Sequence, residues 1–125
     1  MKTTRYLTLK QLIVVAVLAL TGLGALAQSP TEYRKKNGVV EIGAPSSSAI
    51  PFSISSAVGQ NACSVEGKAE IIDANRAGFT SNDLSDKCVV LLNFSGRSVQ
   101  VTTKDCESSC GNGAAGSMDG LYRRR

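Results

Sequence analysis

The chain has 125 residues, a net charge of +4, four cysteines, no histidine and no tryptophan. Without histidine there is no Ser-His-Asp or Cys-His arrangement and no usual zinc site. Three of the positive charges, Lys2, Arg5 and Lys10, sit at the extreme N-terminus, so the rest of the chain carries only +1 and nucleic acid is not an expected partner.

Those three residues form the positive n-region of a secretory signal. Residues 12–20 are an uncharged apolar run, and Ala25-Leu26-Ala27 is a small-x-small cleavage site. The run is short for a membrane span, which needs about 20 residues. The alternative is an uncleaved N-terminal anchor. Cleavage after Ala27 leaves residues 28–125 as one domain in the periplasm or outside the cell, with no transmembrane segment.

Residues 28–44 read as a polar lead-in. Within it, Thr31 can cap a helical turn through Arg34, Lys35 and Lys36, or the segment is disordered; residues 39–42 have β character. The β domain proper is expected over residues 45–125. Ile50, Phe52 and Ile54 alternate with polar residues, and Pro51 restricts that strand to an edge or places itself at the strand's start. Residues 63–72 are the clearest strand. Cys63, Val65, Gly67, Ala69 and Ile71 lie on one face, and Ser64, Glu66, Lys68 and Glu70 on the other. Residues 73–86 read as a structured loop with one helical turn from Ser81 or Asn82. Residues 88–94 are apolar on both faces, which predicts a central strand covered above and below. The turn at residues 95–98 joins it to the alternating Val99, Val101 and Thr103 as a hairpin.

An even cysteine count in a short exported chain predicts two disulfides. Of the three possible connectivities, Cys63–Cys88 with Cys106–Cys110 is favoured: the first two begin the strongest strands, and the last two are close in sequence. A metal or redox role is disfavoured, because Cys63 and Cys88 lack nearby cysteine partners and C-x-x-C is missing. No metal or cofactor is expected. Asp83 and Asp86 read as turn or capping residues, and Glu66 and Glu70 as surface charge. Gly111, Asn112 and Gly113 lack the strand, helix and lysine of a phosphate loop. No placed acid, base or nucleophile stands out, so an enzyme is not expected and a small hydrolase ranks last.

The tail is the one stretch that reads as more than scaffold. A mobile loop held by cysteines would present Ser117, Asp119, Tyr122 and Arg123 as binding residues. The plainer reading is that Leu121 and Tyr122 close the last strand and the arginines are solvated. The order Cys, strand, loop, Cys, two strands, C-x3-C-G and G-x-Y-R over residues 63–123 resembles small periplasmic proteins of Gram-negative bacteria. It is more faintly similar to periplasmic lysozyme inhibitors, whose Ser-Gly-x-x-Tyr loop enters the lysozyme cleft. Gly120-Leu121-Tyr122 approaches that motif, with Asp119 where it has serine and one residue fewer before the tyrosine.

The expected fold is an all-β antiparallel sandwich or partial barrel of about five strands with two disulfides. The expected function is an exported non-enzymatic binding module, an inhibitor of a cell-wall or competitor enzyme acting through a disulfide-held loop. The alternative is an envelope-associated structural protein whose Arg34, Lys35, Lys36 and C-terminal arginines touch anionic surfaces.

Overall fold

The computed structural model describes residues 29–82, 87–111 and 113–125. The signal segment, Asp83, Asp86 and Asn112 lie outside the described residues. The strands are β1 (Thr31–Lys35), β2 (Gly38–Ile42), β3 (Ala49–Val58), β4 (Asn61–Ile71), β5 (Arg76–Thr80), β6 (Val89–Ser95), β7 (Ser98–Lys104) and β8 (Gly120–Arg124), with a 3-10 helix over Glu107–Ser109. All pair antiparallel with their sequence neighbours, and β8 returns to β1 to close an eight-stranded barrel.

Expectation and structure agree on an all-β antiparallel fold with two disulfides, but not on the number of strands or their arrangement. The lead-in is not a helical turn. Thr31–Lys35 is a strand with Tyr33 buried, hairpinned to β2 with Tyr33 opposite Val40. Residues 76–80, expected within a loop, are also a strand, with Ala77 fully buried and Phe79 packed against Phe52 at 5.2 Å between ring centroids. These additions and β8 remove the free edges that a five-strand sheet would expose.

The barrel follows from strict alternation. Val40, Phe52, Ile54, Val65, Ala69, Val90, Leu92, Val99, Val101 and Tyr122 all point inward and are buried. Residues 88–94 are therefore not covered on both sides: Val90 and Leu92 fill the interior, while Val89 is 37% exposed on the outer wall. A single-layer barrel has no second sheet to cover that face. Pro51 is tolerated because the β2 ladder ends at Ile42 opposite Phe52. Beyond that point the Pro51 carbonyl accepts from the Gly43 amide at 2.9 Å, and the reciprocal bond that proline cannot donate falls past the end of the β2 ladder.

The disulfides are Cys63–Cys110 and Cys88–Cys106, which corrects the expected connectivity. Cys63 lies in β4 and Cys88 just before β6, so β5 stands between them. Cys106 instead follows β7, whose Lys104 is paired with Val89 at the start of β6, and so reaches Cys88. The 3-10 helix then carries the chain across the barrel end to β4, where Cys110 bridges to Cys63 and the Gly111 amide donates to the Ala62 carbonyl at 2.9 Å. This crossing covers a gap. β4 pairs with β5 only at Glu70 and Ile71, which leaves the first half of β4 without a β5 partner.

Gly67 explains how the interior is filled beside that gap. A Cβ there would lie 2.5 Å from Phe79 Cε2. Gly67→Ala is expected to destabilise by about 1–3 kcal/mol, through displacement of Phe79 from Phe52. A thermal melt unchanged by the substitution would contradict this packing.

Candidate functional site

The segment between β7 and β8 is anchored to the barrel at several of its described residues. Ala114 and Met118 are fully buried. The Ser117 hydroxyl sits inside the barrel end, 2.7 Å from the Ser56 hydroxyl and 3.4 Å from Cys63 Sγ. The Lys35 ammonium donates to the carbonyls of Ser117 at 2.6 Å and Asp119 at 2.5 Å, and lies 5.0 Å from the centre of the Tyr122 ring. Burial pulls the Lys35 ammonium below the usual lysine value, with Asp119 opposing.

Of the four residues expected to meet a partner, two face the interior. Tyr122 is fully buried, and its hydroxyl donates to the Met118 carbonyl at 2.7 Å. Burial pushes its pKa to about 12, with the Asp119 charge adding to the shift. Ser117 is buried beside Ser56. Asp119 is exposed, but its Oδ1 accepts from the Thr103 amide at 2.6 Å and the Thr103 hydroxyl at 2.8 Å. Arg123 alone projects freely, on the outer wall of β8. The four are not brought together as one surface.

Closure of the barrel instead assembles a different site. β8 pairs with β1 so that Arg123 is directly opposite Arg34 and Arg124 opposite Tyr33. Directly opposed like charges on neighbouring strands repel. Arg125 extends the same wall, and Arg97 is tied beside it, since its carbonyl accepts from the Arg124 amide at 2.7 Å. Lys36 follows β1 at the other end. The Glu32 carboxylate accepts a charged hydrogen bond from the Arg34 guanidinium and reaches Arg125 at 4.0 Å. The Arg34 guanidinium holds the Glu32 carboxyl below the usual carboxylate range. Arg123, Arg124, Arg97 and Lys36 form no ion pair among the described residues.

Beside this wall, Arg34 and Lys36 border a shallow depression of about 520 Å³ floored by Val39, Ser55, Ala57 and Ser64. Glu32 and, opposite it on β2, the exposed Glu41 border this wall; Glu66 and Glu70 lie on β4 and Asp73 beyond it, where Asp73 binds Arg76 at 2.8 Å. No group of three or more His, Cys, Asp or Glu among the described residues could hold a metal ion. The wall offers guanidinium forks and an ammonium to an anion. The short basic runs at 34–36 and 123–125 were visible in the sequence, but their meeting was not, because it depends on β1 being a strand.

No protein-family model, curated protein or solved structure matches the chain.

Proposed function

We propose that this chain is an exported, non-enzymatic binding module that docks on an anionic partner through the outer wall of β1 and β8. The observation that carries this reading is the register pair Arg34 and Arg123, two cations held side by side with one carboxylate, Glu32, shared between Arg34 and Arg125. An anionic group seated across the pair would relieve their repulsion and gain charge-assisted hydrogen bonds. The two disulfides support an oxidising compartment. An inhibitor acting through the tail loop would need Tyr122 outside the barrel, but its ring completes the interior. The envelope-associated role is the form of this reading in which the partner is a surface.

Inorganic polyphosphate is a suitable probe. The variant Arg34→Gln with Arg123→Gln is expected to bind it about tenfold more weakly at low salt and with a shallower salt dependence. Lys68→Gln with Arg76→Gln removes the same charge from the β4–β5 wall and is expected to change affinity by less than about twofold. Equal losses in both variants would mean that net charge, not this wall, governs binding.

A further inference from the structure

We propose that the open stretch of β4 takes a short extended segment of another protein as an added strand. This goes beyond the basic wall and rests on a different observation, a break in the backbone pairing of the barrel. The Ala62 carbonyl turns away from β3 and accepts from the Gly111 amide. Alternation along the strand turns the amides and carbonyls of Glu66 and Lys68 the same way. The 3-10 crossing is joined to β4 at Ala62 and Cys63, and β5 is joined to it at Glu70 and Ile71. Between these two contacts, the amides and carbonyls of Glu66 and Lys68 have no backbone partner among the described residues. On the far bank the Ser81 amide turns to β6, where the Cys88 carbonyl accepts it, so the amide and carbonyl of Thr80 turn toward the opening. Two depressions lie along it, about 340 Å³ beside Lys68 and Thr80 and about 180 Å³ beside Ser64 and Glu66. Phe79 borders both and closes the opening from inside, seated against Gly67.

The backbone groups select the occupant. An unpaired edge offers a donor and an acceptor together at every second residue, and an extended polypeptide returns an acceptor and a donor at the same repeat. A glycan, a lipid headgroup or a dissolved anion carries no such repeat. From Ser64 to Lys68 the edge runs about 13 Å, at about 3.3 Å per residue, which suits a segment of about three to five residues. The exposed side chains of Glu66 and Lys68 stand two residues apart on the outer face and add charge selection. An antiparallel strand with a carboxylate opposite Lys68 and a cation opposite Glu66 is favoured, and the reverse order is repelled. A second copy of this chain does not fit the opening. β5, paired with β6 from Arg76 to Thr80, bounds it and leaves a place for one strand rather than for the wall of another barrel.

The test is amide hydrogen exchange of the oxidised, exported chain, read residue by residue, with and without the capped peptide Thr-Glu-Val-Lys-Thr. Its glutamate falls opposite Lys68, its lysine opposite Glu66 and its valine over Phe79. The Gly67 amide, on the β3 side of the strand, is the internal reference. In the free chain the Glu66 and Lys68 amides are expected to exchange fast and Gly67 slowly. Saturating peptide should slow Glu66 and Lys68 about tenfold and leave the β8 amides unchanged. The same peptide methylated on its glutamate and lysine nitrogens should not bind, because it has lost the donors that pair with β4. The reversed peptide Thr-Lys-Val-Glu-Thr should bind about fivefold more weakly, and the order of preference should invert in Glu66→Lys with Lys68→Glu, two exposed positions. Slow exchange of Glu66 and Lys68 before any peptide is added would overturn the proposal. Protection independent of protein concentration would assign the edge to the chain's own residues, and protection that grows with concentration to a second copy. Binding that survives methylation would overturn it too, as would failure of both charge orders to bind.

Discussion

Replacing Cys63 and Cys110 together by alanine is expected to lower the unfolding free energy by about 4 kcal/mol, and replacing Cys88 and Cys106 by about 3 kcal/mol. The difference follows from sequence separation, 47 residues against 18, because the longer loop loses more freedom in the unfolded chain when it is closed. The first pair also holds the 3-10 crossing against the part of β4 that lacks a β5 partner, so its loss should open that end of the barrel. Urea unfolding of the two double variants measures both values. A larger loss from the Cys88 and Cys106 pair would contradict the assignment, as would a non-reducing peptide map that joins Cys106 to Cys110.

The second large effect is expected at Tyr122. Tyr122→Ala should destabilise by about 3–5 kcal/mol, since it empties a fully buried aromatic site. Tyr122→Phe should cost only about 1 kcal/mol, the value of the hydrogen bond to the Met118 carbonyl. The ring also fills the space beside Gly38, where a Cβ would lie 2.9 Å from Cε2. A loss under about 1 kcal/mol for the alanine variant would mean that Tyr122 is not a core residue and would restore the tail loop as a recognition element.

The same tyrosine predicts alkaline instability with a definite sign. Its folded pKa of about 12 lies above the ordinary tyrosine value of 10.0. Between those values the unfolded chain gives up a proton that the folded chain retains. Stability from Tyr122 is therefore whole below pH 10 and falls as pH rises toward 12, by about 2–3 kcal/mol in all. Lys35 acts the other way. Its lowered pKa means that the unfolded chain holds a proton the folded chain has released, so stability rises with pH just below the usual lysine value. Comparing urea midpoints of the native chain and Tyr122→Phe on either side of this window isolates the tyrosine.

What could be read from the sequence was set by how much apolar signal each strand carries. β4 was legible because Cys63, Val65 and Ala69 alternate with Ser64, Glu66 and Lys68, and β6 with β7 because a dense run of aliphatic residues meets a glycine turn. β1 offers only Tyr33 as an inward apolar residue, and Arg34 and Lys35, with Lys36 just beyond it, read as a helical turn or a disordered lead-in. β5 offers only Ala77 and Phe79. Both strands are stabilised by partners on each side rather than by their own pattern, which is tertiary context overriding local propensity. The cysteine pairing failed for the same reason: with β5 unrecognised, Cys63 and Cys88 looked like neighbours.

The basic wall was legible only as two separate runs. Arg34 and Arg123 become opposed residues through the β1–β8 ladder, and no local pattern records that closure. Tyr122 was ambiguous for a different reason. An aromatic residue near a chain end suits a recognition loop and a last strand equally, and only the alternation of β8, with Leu121 out and Tyr122 in, decides between them.

The wall of β1 and β8 is where we propose that this domain meets its partner. Following the backbone amide signals of isotope-labelled protein during titration with polyphosphate tests it most directly. Saturable shifts are expected at Arg34, Ser98, Arg123 and Arg125, with Glu66, Glu70 and Asp73 unmoved. Shifts centred on Asp119 and Gly120, or spread evenly around the barrel, would contradict it.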